Sequence, residues 1–143
     1  MRKALVLIAA FSLQAWACPD LTGNFTCTYQ NGSSEIISIS QAEKAGVTVY
    51  NYNGSEIPAD NVVYNLPDDE TLKESTFRAW CEGASLKGNI VGKYYNQGSY
   101  FGDLDMVLDL SLAGSDLHSV TTGTLKSASG DYPLDGEVTC VRQ

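Results

Sequence analysis

Residues 100–112 read Tyr-Phe-Gly-Asp-Leu-Asp-Met-Val-Leu-Asp-Leu-Ser-Leu, placing Leu104, Met106, Leu108, Leu110 and Leu112 on one parity and Asp103, Asp105, Asp109 and Ser111 on the other. Successive side chains of an extended strand point to opposite faces, so this stretch describes a strand with one face in a core and one in water. The same period of two runs outward in both directions. From Leu21 to Gln30 the odd positions are Leu21, Gly23, Phe25, Cys27 and Tyr29, and the even ones are Thr22, Asn24, Thr26, Thr28 and Gln30. Asn31-Gly32 turns the chain into residues 33–41, and a three-residue loop with Gly in the left-handed position pairs Phe25 with Ile37 and Gly23 with Ile39. After a turn over 42–46, Val47 to Tyr52 forms the third strand. A two-residue turn at Gly83-Ala84 pairs Cys81 with Leu86, Ala79 with Gly88 and Phe77 with Ile90, leaving Arg78 and Trp80 on the other face beside Asn89 and Lys87. Leu117 to Lys126 is the seventh strand. The eighth, Tyr132 to Arg142, carries Leu134, Gly136, Val138 and Cys140 on one side.

Residues 53–75 break the rhythm with Asn53-Gly54, Pro58, Pro67 and the acidic run Asp68-Asp69-Glu70. A connection this long is unusual inside a compact domain. It is expected to hold a short strand at Val62 to Asn65 and a helical turn from Asp68 to Glu74, whose first carboxylates a helix dipole favours. Eight strands, short turns and no long helical pattern predict an all-β fold, an antiparallel sheet that closes on itself and so removes its exposed edges. The expectation is an up-and-down eight-stranded barrel. Inward glycines at 23, 88, 92, 102 and 136 permit the coiling that a small barrel needs. A flattened two-sheet β-sandwich is the alternative.

The chain begins with a segment that reads as address rather than structure. Arg2 and Lys3 precede an apolar run from Ala4 to Leu13, and Ala15-Trp16-Ala17 supplies a small-x-small cleavage site, the pattern of a secretory signal over residues 1–17. The run is too short to span a bilayer. Cleavage after Ala17 leaves a single domain, residues 18–143, and removes two of the nine basic residues against seventeen acidic ones, for a net charge of -10. A soluble acidic protein of the periplasm or the extracellular space is expected, and it reads as a monomer. Lipidation of Cys18 competes, but Ala15 and Trp16 stand where a bacterial lipobox favours Leu and a small residue. All four Cys, at 18, 27, 81 and 140, survive processing. In an oxidising compartment an even count in a small domain reads as two disulfides, for which sequence alone permits three pairings.

Charge and composition exclude several classes. A pI near 4.4 argues against nucleic acid or an anionic membrane as partner, since both require Lys and Arg to neutralise phosphate. One His rules out a multi-His metal site, and without a Cys-x-x-Cys pair there is neither a zinc ribbon nor a thioredoxin-like motif. No cofactor and no resident metal are expected. His118 lacks the nucleophile elbow that would make it part of a triad, and it reads as a surface residue. Asp103, Asp105 and Asp109 would hold calcium only if a loop closed over them, and they read as a solvated face. Asp131, Asp135 and Glu137 depart from an EF-hand loop, and Pro133 interrupts them. Asn24, Asn31 and Asn53 head N-x-Ser/Thr sequons, which matter only in a glycosylating host. An enzyme is not expected.

The signal segment, the opening Asp20-Leu21-Thr22-Gly23-Asn24-Phe25, the meander of strands and the final Arg142 together resemble the lipocalin and calycin superfamily. In that family a Gly-x-Trp on the first strand packs its ring beneath an Arg from the end of the barrel. Gly23 and Phe25 match the first motif, with Phe in place of Trp, and Arg142 matches the last; the family's Thr-Asp-Tyr motif has no counterpart. The resemblance implies a barrel that binds small apolar or amphipathic ligands at its open end.

An up-and-down order puts the turns at 42–46, 83–84 and 113–116 at one end with the N-terminal segment. Turns at 30–32, 53–75, 96–98 and 127–130 fall at the other, the open end. That order favours Cys18 with Cys81 and leaves Cys27 for Cys140. Tyr94 and Tyr100 are then inward near the open end, with Tyr50, Tyr52 and Tyr64 on or near the long connection, and these five are the expected ligand contacts. Trp80, outward beside Lys87, would mark a protein-binding patch or stack on that neighbour. A small-molecule binder is therefore the leading expectation. The alternative is a secreted interaction or inhibitor module with a filled barrel and no ligand.

Overall fold

The computed structural model describes residues 17–143; the expected signal segment falls, but for Ala17, outside the described residues. Within them the chain forms β1 (Gly23–Thr28), β2 (Ser34–Lys44), β3 (Val47–Tyr52), β4 (Ser55–Pro58), β5 (Tyr64–Asn65), β6 (Leu72–Glu82), β7 (Ser85–Asn96), β8 (Ser99–Ala113), β9 (Asp116–Ser127), β10 (Gly130–Pro133) and β11 (Gly136–Arg142). All pair antiparallel in one curled sheet ordered β4-β3-β2-β1-β11-β9-β8-β7-β6-β5, with β10 on β9 beside β11. The period-two reading sets its registers: Phe25 opposes Ile37, Gly23 opposes Ile39, Cys81 opposes Leu86 and Ala79 opposes Gly88.

The architecture departs from a closed eight-stranded barrel. There are eleven strands among the described residues, and the sheet curls into a half-barrel with β4 and β5 as unpaired edges. Across that gap runs the connection after β4, where the Ala59 amide donates to the Thr48 carbonyl and the Asn61 amide donates to the Ala79 carbonyl. Both edges are short, and β4 ends at Pro58, which discourages pairing with another chain.

Two of the extra strands come from chemistry that alternation does not reveal. Asn53-Gly54, placed by its neighbours in an irregular connection, is a two-residue hairpin turn with φ of 49° and 89°, and it folds Ser55–Pro58 onto β3. The expected last strand is divided into β10 and β11, which share one register on β9: Pro133 opposes Thr124 and Gly136 opposes Thr121. The helical turn expected at Asp68 to Glu74 does not form. Instead the Asp69 carboxylate accepts the amides of Thr71 and Leu72 at 2.7 Å each, a local turn that competes with helix and starts β6. The strand expected over Val62 to Asn65 shrinks to β5.

The core gathers at the end where the N-terminal segment crosses the sheet. Leu21, Phe25, Cys27, Tyr50, Leu117 and Cys140 are its fully buried side chains. Disulfides join Cys18 to Cys81 and Cys27 to Cys140, the first tying the N-terminal segment to β6 and the second linking β1 to β11. Over this closed end lies Arg142, its guanidinium 4.8 Å from the centre of the Phe25 ring. Its Nη1 donates to the Thr22 carbonyl and its Nε to the Ser115 carbonyl.

Candidate functional site

Beyond the packed end the inner face is not filled. Ala79 on β6, Gly88 on β7 and Leu108 on β8 are successive cross-strand neighbours on that face, and the first two carry almost no side-chain volume. The space they leave is a cavity of about 230 Å³, walled by Tyr52, Ile57, Phe77, Ala79, Leu86, Ile90, Leu108 and Leu110. Five strands supply these residues, Lys87 also reaches the lining, and apart from the Tyr52 hydroxyl and the Lys87 amine the side chains are hydrocarbon. Enlarging Gly88 is obstructed, because a Cβ there would stand 3.1 Å from the Phe77 ring.

Polar groups collect toward the open end. Tyr29 and Glu35 have the inward parity of β1 and β2, and the Tyr29 hydroxyl donates to Glu35 Oε1 at 2.8 Å. That hydrogen bond, helped by burial, pushes the Tyr29 hydroxyl up to about 12. Burial raises Tyr52 as well, and the Glu35 carboxylate adds to it. At neutral pH, therefore, the cavity has a neutral phenol in its wall, with Glu35 beside it. Nearby, Ser75 is 2 % exposed and its Oγ has no hydrogen-bond partner among the described residues. It lies against Gly92, two positions along the inner face from the cavity-lining Ile90.

The five tyrosines separate. Tyr52 alone among them lines the cavity. Tyr50 is fully buried in the closed end, where its hydroxyl donates to the Pro19 carbonyl at 2.6 Å; burial pushes it up to about 12. Tyr64 is exposed on the connection and donates to Asp60 Oδ2 at 2.5 Å. Tyr94 faces inward but packs edge-on against Phe101, ring centres 6.1 Å apart, and Phe101 meets Tyr132 at 5.7 Å. Tyr100, expected inward, is outward: a bulge puts it opposite Tyr95, whose ring it meets at 5.7 Å, while its hydroxyl donates to Asp103 at 2.8 Å. Phe101 takes the inward place instead. Tyr29 and Glu35 were readable from their parity, since a carboxylate in phase with Ile37 and Ile39 belongs either to a polar mouth or to an error of register.

On the outer face the acidic stripe is balanced by its neighbours. Asp103 stands opposite Lys93 and Lys126, Asp105 accepts from Asn89 Nδ2 at 2.9 Å, and Asp109 lies 3.6 Å from Lys87. Among the described residues no group of three or more His, Cys, Asp or Glu could hold a metal ion. Trp80 is half-buried and stacks with Arg78 rather than Lys87, at 5.0 Å. His118 meets Glu137 at 2.6 Å on the outer face. No helix among the described residues is long and apolar enough to cross a membrane. No family model, curated protein or solved structure matches this chain.

Proposed function

We propose that the protein is an exported small-molecule binder of lipocalin-like architecture that carries a compact apolar or amphipathic ligand inside its curled sheet, without enzymatic activity. The observation that carries this reading is the cavity of about 230 Å³, walled mainly by apolar side chains and held open because Ala79 and Gly88 face each other where larger residues would fill it. It exceeds the roughly 150 Å³ that holds benzene in a protein interior. It falls short of the roughly 300 Å³ at which pockets for drug-sized ligands begin. The ligand is therefore small, and the hydroxyl of Tyr52 and the carboxylate of Glu35 suit one with a polar end. The lipocalin-like part of the reading rests on Gly23, Phe25 and Arg142 meeting at the closed end. Export rests on the signal-like segment together with two disulfides, which are consistent with an oxidising compartment.

The test is a titration of the oxidised mature protein with single-ring and two-ring aromatic probes, followed by methyl chemical shifts in nuclear magnetic resonance. Saturable shifts at Ile90, Leu108 and Leu110, abolished by Ala79→Leu, support the proposal. Binding that leaves those methyls unmoved, or that survives Ala79→Leu in a folded variant, contradicts it. In that case the interaction-module reading takes precedence.

A further inference from the structure

A second concavity, separate from the interior cavity, opens in the sheet itself. The ladder between β1 and β11 has only three pairs, Phe25 with Arg142, Thr26 with Val141 and Cys27 with Cys140. One step past the Cys27–Cys140 bridge the Thr28 amide still donates to the Thr139 carbonyl; beyond that bond the two strands diverge, and between them lies a cleft of about 560 Å³ whose walls are residues 28–31 and 135–139, with Ser119 and Thr121 behind. The hydrogen-bond phase shows what faces the cleft. The Gln143 amide donates to the Asn24 carbonyl, so even positions of β1 and odd positions of β11 aim their main-chain groups at each other. On its other edge β1 turns odd positions to β2, as the Tyr29 amide does to Ser33, and β11 turns even positions to β9. Gln30 on one side, and Asp135 and Glu137 on the other, thus direct their amides and carbonyls into the cleft, where no strand pairs with them, while the Thr28 amide and the Thr139 carbonyl close its end. Pro133, on the same edge of β10, has no amide to offer, and it marks where this edge ends.

We propose that this cleft is an acceptor for a cationic peptide segment of another protein, taken up in extended conformation as an added strand antiparallel to β11. A strand added there gains main-chain hydrogen bonds from Asp135 and Glu137, which have no main-chain partner on that side, with Gln30 and Asn31 as the facing wall. The antiparallel direction is set by the better pairing of antiparallel ladders. Charge decides the chemistry of the partner. The charged side chains on the cleft walls are Asp135 and Glu137, both exposed, on a chain of net charge -8. Glu137 also meets His118 on the outer face, and Asp135 remains without a cationic partner on the cleft walls.

The test uses the oxidised mature protein and three nine-residue probes: alternating Lys and Val, the same peptide N-methylated at alternate residues, and alternating Glu and Val. The Lys-Val probe is expected to bind and to slow amide exchange at Asp135 and Glu137, which exchange freely without it. N-methylation is expected to weaken binding at least about tenfold, because strand addition is then impossible. The Glu-Val probe is expected to bind more weakly still, and added salt to weaken the Lys-Val complex. Absence of Lys-Val binding, equal affinity for the N-methylated probe, or binding without protection of those amides overturns the proposal. Amides already protected in the free protein overturn it as well; protection that grows with protein concentration would assign the edge to a second copy.

Discussion

The guanidinium of Arg142 lies 4.8 Å above the ring of Phe25, and the two close the end of the sheet that holds the core. Gly23 is what lets them meet: a Cβ there would stand 2.3 Å from Arg142 Nη1 and 3.0 Å from the Phe25 ring. Gly23→Ala is therefore expected to displace the stack and to cost about 1–3 kcal/mol, as overpacking does. Arg142→Ala, which leaves the Thr22 and Ser115 carbonyls without their donor, is expected to cost about 1–2 kcal/mol. If the stack accounts for both effects, chemical denaturation of the double variant will show a loss smaller than the sum of the single losses.

The disulfides span 63 and 113 residues and cross in sequence, so each restrains an unfolded chain that the other leaves loose. Replacing Cys27 and Cys140 together by Ser is expected to lower stability by about 2–5 kcal/mol. Urea denaturation of that variant against the parent measures this. Replacing Cys18 and Cys81 additionally frees the segment that carries Pro19 and Leu21 and is expected to expose Tyr50 to solvent, read as a blue shift in its near-ultraviolet absorbance.

Stability is expected to fall at both ends of the pH scale for different reasons. Tyr29, through its hydrogen bond to Glu35, and Tyr50, through burial, are pushed from 10 to about 12. A raised folded value means that their contribution is complete below pH 10 and is lost as pH rises from 10 toward 12, as the unfolded chain ionises first. Asp69, held low by the amides of Leu72 and Thr71, and Asp60, held low by the Tyr64 hydroxyl, act oppositely: their contribution is present above the ordinary 3.8 and disappears as pH drops below it. Thermal melts across pH measure both limbs. Tyr50→Phe is expected to flatten the alkaline limb and, by stranding the Pro19 carbonyl, to cost about 1 kcal/mol at neutral pH.

Ser75→Ala removes a buried hydroxyl that has no partner in the chain. Because an unsatisfied buried group is a cost that its removal relieves, this variant is expected to be as stable as the parent or to melt a few degrees higher. A clear loss of stability would mean that the hydroxyl is satisfied in solution by water or ligand.

The parts of the fold that obey alternation were legible in the sequence. Phe25 opposite Ile37 and Ala79 opposite Gly88 follow from parity and turn length alone. What alternation cannot register is a change of phase. The bulge between Tyr94 and Tyr95 reverses the facing of Tyr100, and Phe101 enters the interior in its stead. Nor does it register a segment that crosses strands. Tyr50 reads as a wall of the open interior until Pro19 is laid over it, and that placement depends on the Cys18–Cys81 bridge. The cavity itself was half legible: its small residues, Ala79 and Gly88, stood in the sequence as an inward pair, but the volume between them depends on how far the sheet curls.

A small ligand held in the interior would be seen by native mass spectrometry of the protein purified under native conditions from its own host. The expected result is a species heavier than oxidised residues 18–143 by one small-molecule mass, lost on denaturation and absent when Ala79→Leu fills the cavity. A parent protein that carries only the mass of the bare oxidised chain, and takes up no aromatic probe on titration, would contradict it.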